Sequence, residues 1–216
     1  MPEGTVVTTR GQLHRIAESF IAGPQYRTAG TIRLAVRPDG FTGTAVPIGV
    51  HGTTLEWPDG AAALAGPVSQ LARASGLEFG PPPDDVYHSV ALLDPDTVLD
   101  IDPASAQVIY TCLYAGGTAL KAVLRDGHPV LWPEHFDVAV TDNEVNYGVS
   151  AGDDGHPLPY AYVGPWDFTA TPRTGPFWNA SFGARYPLDL SADTDTLTTD
   201  IAEFFRRGQA QLWCGG

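Results

Sequence analysis

The fold is decided by residues 31–46, TIRLAVRPDGFTGTAV, in which two alternating runs flank a turn signal. Apolar and polar residues alternate from Thr31 to Val36, the pattern stops at Pro38-Asp39-Gly40, and it resumes from Phe41 to Val46. Alternation with period two is typical of a half-buried strand, and a Pro-Asp-Gly cluster is typical of a turn. The segment therefore predicts a β-hairpin, to which residues 50–57 add a third antiparallel strand.

Helical spacing surrounds the hairpin. Residues 8–22 begin with N-cap threonines, carry apolar residues three and four positions apart, and end at Gly23-Pro24. Residues 67–76 repeat the spacing over a shorter length, and residues 103–125 begin with a proline directly after Asp102, which favours a helix N-terminus. Together these elements predict an α+β fold in which an antiparallel sheet packs against about four helices.

The domain organisation follows from one proline cluster and one repeated pattern. Residues 80–85 contain three consecutive prolines and predict a linker, because proline removes backbone donors. Residues 135–140 can be laid over residues 31–36 with their apolar positions in register. We therefore expect a single domain of two similar halves, about 8–79 and 86–212, related by pseudo-twofold symmetry.

Composition excludes several classes of protein. The chain has 216 residues, of which 43% are hydrophobic and 17% charged, values typical of a packed globular protein rather than a disordered one. The formal net charge is −13, and Lys121 is the single lysine. A strongly acidic chain repels phosphate backbones and anionic lipids, so we expect neither a nucleic-acid partner nor a membrane partner. The chain begins without a basic segment followed by an apolar one, which predicts a cytoplasmic location.

The two cysteines predict no disulfide framework. Cys112 lies within an apolar helical pattern and is expected in the core, whereas Cys214 is expected at a fraying C-terminus. The chain also lacks the glycine-rich phosphate loops, the paired Cys-x-x-Cys motifs and the Gly-x-Ser-x-Gly elbow of well-known enzyme classes.

Aromatic residues cluster in the C-terminal half. Three of the five tryptophans lie between residues 131 and 184, a segment that contains four short motifs. The motifs are Trp132-Pro-Glu-His-Phe-Asp137, Tyr147-Gly-Val-Ser-Ala-Gly-Asp153, Pro159-Tyr-Ala-Tyr-Val163 and Phe177-Trp-Asn-Ala-Ser-Phe-Gly-Ala184. This set resembles the signature of a largely actinobacterial protein family of unknown function. The resemblance implies a shared fold and points to these residues, but it implies no reaction.

The first candidate site is His135 with Asp137. On a strand these two side chains would project together, while Phe136 between them would enter the core. Three interpretations remain open: two ligands of a transition-metal site, a histidine base oriented by a carboxylate, or a hydrogen-bonded polar patch. Glu134 and His88 are the further candidate catalytic residues, and no cofactor is predicted beyond a metal at His135 and Asp137.

The second candidate site is an aromatic cleft built by residues 132–182. Tyrosine and tryptophan combine a large apolar surface with a polar tip and are frequent in ligand pockets. Alternation predicts that Tyr160 and Tyr162 share one face of a strand. The candidate ligand-binding residues are Tyr147, Tyr160, Tyr162, Trp166, Trp178 and Asn179.

Three functions remain open from the sequence. The leading hypothesis is a small-molecule-binding protein that uses the aromatic cleft. The first alternative is an enzyme that uses His135 and Asp137 as an acid–base pair or as metal ligands. The second alternative is an interaction module or obligate dimer, which would place the aromatic residues on a flat exposed patch.

Overall fold

The computed structural model describes residues 2–89, 93–168 and 173–213, with the backbone alone at Trp213. The chain forms two compact units. The first contains residues 1–110 and 131–136, and the second contains residues 111–130 and 137–216. The units are therefore divided near residues 110 and 136, and residues 80–85, the predicted linker, lie inside the first unit. The internal duplication stays a prediction.

The first unit consists of helices followed by antiparallel strands. Its elements are α1 (Glu3–Ile16), a π-helical stretch (Ala17–Ala22), α2 (Gly23–Ala29), β1 (Leu34–Arg37), β2 (Gly40–Gly43), β3 (Gly49–His51), β4 (Thr54–Trp57), β5 (Gly60–Ala63), β6 (Ala65–Pro67), α3 (Val68–Ser75), β7 (Val98–Asp100), the beginning of α4 (Pro103–Val123) and β8 (Val130–Trp132). Strands β8-β1-β2-β3-β4-β5 lie side by side in that order, and β6 pairs with β7.

The predicted hairpin is confirmed, and the strand expected after it is corrected. Val36 pairs with Phe41 across the β1–β2 turn. Residues 50–57 form parts of two strands rather than one, because the chain turns at Gly52, whose φ of 54° lies in the left-handed region.

The first helix is longer than predicted. Gly23-Pro24 was expected to end it, but helical structure continues to Ala29 and stops at Gly30, which adopts a φ of 67°. A proline inside an α-helix crowds the carbonyl four residues earlier. Here the π-helical stretch Ala17–Ala22 ends before Gly23, and Pro24 lies in the first turn of α2, a position that tolerates proline.

The second unit is a four-stranded antiparallel sheet with two helices. It contains the remainder of α4, then β9 (Asp137–Asp142), β10 (Val145–Ser150), β11 (Tyr160–Pro165), β12 (Ala184–Pro187) and α5 (Thr194–Trp213), and the strands lie in the order β9-β10-β11-β12. Asn143 and Glu144 form the β9–β10 turn with φ values of 48° and 60°. Positive φ at both central residues is the mark of a type I′ turn, which fixes the register of a hairpin.

One face of this second sheet is covered by helices. Tyr147 packs edge-on against Phe205 of α5, with ring centroids 5.9 Å apart. Gly116 of α4 lies so close to Val149 that an added Cβ would be 2.5 Å from a valine methyl group. We call this side the covered face: its residues include Val138, Val140, Tyr147, Val149, Ala161 and Val163. The α+β fold class is confirmed.

Two further predictions concern burial and the membrane. Cys112 is buried, which raises the pKa of its thiol to about 12, and Cys214 lies outside the described residues. No helix in the described part of the chain has both the length and the hydrophobicity needed to cross a membrane.

Candidate functional site

The opposite face of the second sheet carries polar and aromatic side chains. Strand register places Asp137, Ser150 and Tyr160 in one cross-strand row, and Gly148, Tyr162 and Arg185 in the next. Thr141, Asn146 and Gly164 form a third row. Residues directly opposite each other in antiparallel strands share a face. We call this side the polar face, defined by Asp137, Thr141, Asn146, Ser150, Tyr160, Tyr162 and Arg185.

Tyr162 donates a hydrogen bond to the carboxylate of Asp137, which is buried. The tyrosine ring crosses Gly148 on the neighbouring strand, where an added Cβ would lie 2.6 Å from the phenol oxygen. Glycine at this position therefore lets the ring lie flat enough to reach Asp137. Burial, followed by the negative charge of Asp137, raises the pKa of Tyr162 well above its ordinary value. At neutral pH the phenol is a hydrogen-bond donor and the carboxylate is its acceptor.

Tyr160 makes a similar bond to a loop carboxylate. Its hydroxyl donates to Asp153 Oδ2, while Asp153 Oδ1 accepts from the backbone N–H groups of Gly155, at 2.7 Å, and of His156, at 2.8 Å. The Arg185 guanidinium carbon lies 5.9 Å from the centre of the Tyr160 ring. This end of the polar face is thus occupied by contacts within the protein, which hold the loop of residues 151–159 against the sheet.

Trp166 lies at the other end of the polar face and is 64% exposed. Its backbone N–H continues the ladder by donating to Glu144 O at 2.9 Å, and its indole Nε1–H donates to Asn146 Oδ1 at 3.1 Å. Thr141 Oγ1 donates to the same Asn146 oxygen at 2.7 Å. Since indole can only donate, the Asn146 oxygen must face Trp166, and the amide orientation is fixed. In the described part of the chain, no group accepts a hydrogen bond from Asn146 Nδ2.

Phe182 completes an aromatic surface beside Trp166. It is 38% exposed and packs edge-on against Tyr162, with ring centroids 6.2 Å apart. A Cβ added to Gly164 would lie 3.9 Å from the Phe182 ring, so this ring borders a strand position that has no side chain. We call Tyr162, Gly164, Trp166 and Phe182, together with Asn146, the aromatic platform. Sequence analysis did not single out Phe182 or Asn146, although both lie in or next to the quoted motifs.

The remaining predicted ligand residues lie elsewhere in the second unit. Tyr147 is on the covered face, where burial raises the pKa of its phenol to about 12. Trp178 packs edge-on against Phe177, with ring centroids 5.0 Å apart. Asn179 donates to the backbone oxygen of Arg185 at 2.9 Å and accepts from its N–H at 2.8 Å. The amide of Asn179 therefore ties a loop to the edge strand β12.

Tyr147 also borders a small cavity at the end of the covered face. The cavity measures about 170 Å³ and is lined by Asp142, Asn143, Val145, Tyr147, Arg173 and Leu212. Pockets that enclose organic ligands usually measure about 300–1,000 Å³. This cavity is too small for such a ligand.

His135 and Asp137 do not continue one strand, which corrects the expected strand over residues 135–140. Strand β9 begins at Asp137, and Phe136 before it adopts a left-handed φ of 51°. The expected alternation of side chains is therefore broken between them. His135 lies in the turn with a side chain that is 72% exposed, and its Nε2 is 3.4 Å from Glu134 Oε1. His88 is exposed and lies 3.9 Å from Asp84, so it belongs to a surface pair.

The first unit contains a buried polar cluster that sequence analysis missed. Glu18 is 1% exposed within the π-helical stretch, and Tyr87 lies against it. Burial, followed by the charges of Glu18 and Glu134, raises the pKa of Tyr87 far above its ordinary value. His14 bonds to Pro133 O at 2.7 Å, but burial lowers the pKa of its imidazole to about 4. The one available sequence signal was a glutamate within the apolar run of residues 16–22.

Neither unit offers an evident metal centre. Within residues 2–89, 93–168 and 173–213, no three His, Cys, Asp or Glu side chains converge closely enough to hold a metal ion.

The chain matches no protein-family model, no curated protein and no solved structure. The resemblance to an actinobacterial family therefore stays a prediction, and the geometry of the two units is the basis for any functional assignment.

Proposed function

We propose that this protein binds a small molecule on the polar face of the second sheet, at the aromatic platform. The observation that carries the proposal is Trp166, whose ring is 64% exposed although its indole nitrogen is fixed by Asn146. A tryptophan side chain can bury roughly 150–250 Å². A large ring that is both exposed and held in one orientation is suited to contact with a ligand.

The surroundings of Trp166 support the same function. Phe182 adds a second exposed ring, which lies beside Gly164, a strand position without a side chain. Exposed apolar patches bordered by polar groups are characteristic of binding sites. Asn146 supplies such a polar group, because its Nδ2 atom can donate while its oxygen is already engaged.

The test is a thermal-shift screen of a metabolite library against the full chain, repeated on Trp166→Ala. A compound that binds the native state stabilises it by RT ln(1 + [L]/Kd) and thereby raises the melting temperature. We expect at least one compound to stabilise the wild type and to lose this effect in Trp166→Ala. Val98→Ala is the control, because Val98 is a 62% exposed apolar residue of the first unit.

Two outcomes would contradict the proposal. A ligand that stabilises wild type and Trp166→Ala equally would bind elsewhere. Such a site could be that of the alternative enzyme, which uses His135 and Asp137. A dimer in light scattering that dissociates in Trp166→Ala would favour the interaction-module alternative, because the aromatic platform would then be a protein interface.

A further inference from the structure

We infer that the ligand of the aromatic platform is a neutral polyhydroxylated ring, that is, a carbohydrate unit; this inference rests on the proposed function. Three features of the aromatic platform support this ligand class: its exposed rings, the neutral residues around Gly164 and the hydrogen-bonding character of Asn146.

The platform offers exposed rings to a flat six-membered ring. Trp166 is 64% exposed and Phe182 is 38% exposed. Phe182 lies beside Gly164, and the Trp166 indole is held by Asn146, which is paired with Gly164 across the strands. A sugar ring has an apolar face of C–H groups that packs against aromatic rings of this kind.

Two charged groups of the polar face are engaged within the protein. The Arg185 guanidinium lies over the Tyr160 ring, and Asp137 accepts from Tyr162. Thr141, Asn146, Trp166 and Phe182, which surround Gly164, carry no charge. The formal net charge of −13 further disfavours an anionic ligand.

Asn146 distinguishes a sugar from a cation. Aromatic surfaces also attract quaternary ammonium groups. The Oδ1 atom of Asn146 is already engaged, however, so the atom that can contact a ligand is Nδ2. This amide nitrogen is a hydrogen-bond donor and repels a cation. A hydroxyl or ring oxygen accepts from such a donor, whereas an ammonium group does not.

The experiment titrates ¹⁵N-labelled full-length protein with cellotetraose, maltotetraose, xylotetraose and chitotetraose. The signals followed are the Trp166 Nε1–H and the Asn146 Nδ2–H resonances, which report on the platform directly. We expect at least one tetrasaccharide to shift both signals in a saturable manner.

Three variants locate the interaction. Trp166→Ala should weaken binding at least about tenfold, because it removes the stacking surface. Asn146→Asp keeps an oxygen for Thr141 and Trp166 but replaces the donor with an acceptor, and should weaken binding about tenfold. Tyr186→Ala is the matched control: Tyr186 is a 37% exposed aromatic residue whose register places it on the covered face, and its loss should leave the affinity unchanged.

Two parallel titrations distinguish failure of the carbohydrate inference from failure of the proposed function. Choline and glucose 6-phosphate are titrated in parallel. If either shifts the two platform signals while no tetrasaccharide does, the ligand class is wrong and the binding site stands. If no compound of the titration or of the metabolite screen shifts them, both proposals are overturned.

Discussion

The two faces of the second sheet are specified by different physical means. On the covered face, close packing restricts which side chains fit. Gly116 and Gly208 have no side chain at the points where α4 and α5 approach the valines of the sheet. The polar face is specified by hydrogen bonds, from Tyr162 to Asp137 and from Trp166 to Asn146. The comparison teaches that one face stabilises the fold, while the other keeps a large ring exposed in a fixed position. Five predictions test this division.

The largest effect is expected on the covered face, from Gly116→Ala. The new methyl group would lie 2.5 Å from Val149 Cγ2 and 2.7 Å from Val149 Cβ. Overpacking of this kind costs about 1–3 kcal/mol and outweighs the helix propensity gained. We expect a net loss of about 2 kcal/mol in urea unfolding.

Gly11→Ala in α1 is the control for that substitution. No atom lies within 4 Å of its added Cβ, so the helix propensity gain of up to about 1 kcal/mol should be realised. Equal stability of the two variants would show that the covered face has room for a methyl group, contrary to the comparison.

The next effect is expected from Tyr162→Phe on the polar face. Removing the hydroxyl deprives a buried carboxylate of a donor, which costs about 1–3 kcal/mol at neutral pH. Tyr186→Phe on the other face should cost less than about 0.5 kcal/mol. Urea unfolding of both variants checks the difference.

The raised pKa of Tyr162 also predicts how the unfolding free energy changes at alkaline pH. The folded protein keeps the Tyr162 proton above its ordinary pKa of 10, whereas the unfolded chain releases it. Stability is therefore complete below about pH 10 and falls as the pH rises beyond it. Tyr162→Phe should flatten this fall, and an unchanged slope would argue that Tyr162 is not buried against Asp137.

A smaller change in the unfolding free energy, of opposite sign, is expected at the β9–β10 turn. This turn fixes the strand register and therefore which residues lie on each face. Glu144 adopts a φ of 60°, which is unfavourable for a residue with a side chain, and it is the second central residue of the β9–β10 turn. Glu144→Gly should raise the unfolding free energy by up to about 1 kcal/mol. Glu144→Val should lower it, since a β-branched residue resists this conformation; if the two variants changed stability in the same direction, the turn would not be of this type.

The smallest effect on stability is expected from Trp166→Ala. Since Trp166 is 64% exposed, its truncation should change the unfolding free energy by less than about 0.5 kcal/mol, although the proposed ligand binding should weaken. Chemical denaturation of the ligand-free protein measures this quantity. A loss comparable to that of Gly116→Ala would mean that Trp166 stabilises the fold rather than serving a ligand.

Much of the polar face was predictable from local pattern. The alternation around Tyr160 and Tyr162 placed both rings on one side of a strand, and they lie there with centroids 6.2 Å apart. The pattern could not name their partners, because strand register brings Asp137 to Tyr162, and the loop before β11 brings Asp153 to Tyr160. Nor could it separate Trp166, which is exposed, from Trp178, which is packed against Phe177.

The strand expected over residues 135–140 begins only at Asp137, for a reason that the sequence does not display. A left-handed φ at a phenylalanine is rare, and the residues next to Phe136 in the sequence do not indicate one. Its ring is buried against Phe41, with centroids 5.4 Å apart, and it stacks on His14. These contacts stabilise the backbone conformation in which the His135 side chain is exposed.

Local sequence was enough to predict the α+β class, the first hairpin and the alternation along β11, because period, turn residues and caps are properties of neighbouring positions. The folded structure was needed to show which tyrosine meets which carboxylate, which face of the second sheet the helices cover and which tryptophan remains exposed. Those features depend on strand register and on close approach between distant residues, and no local pattern encodes either.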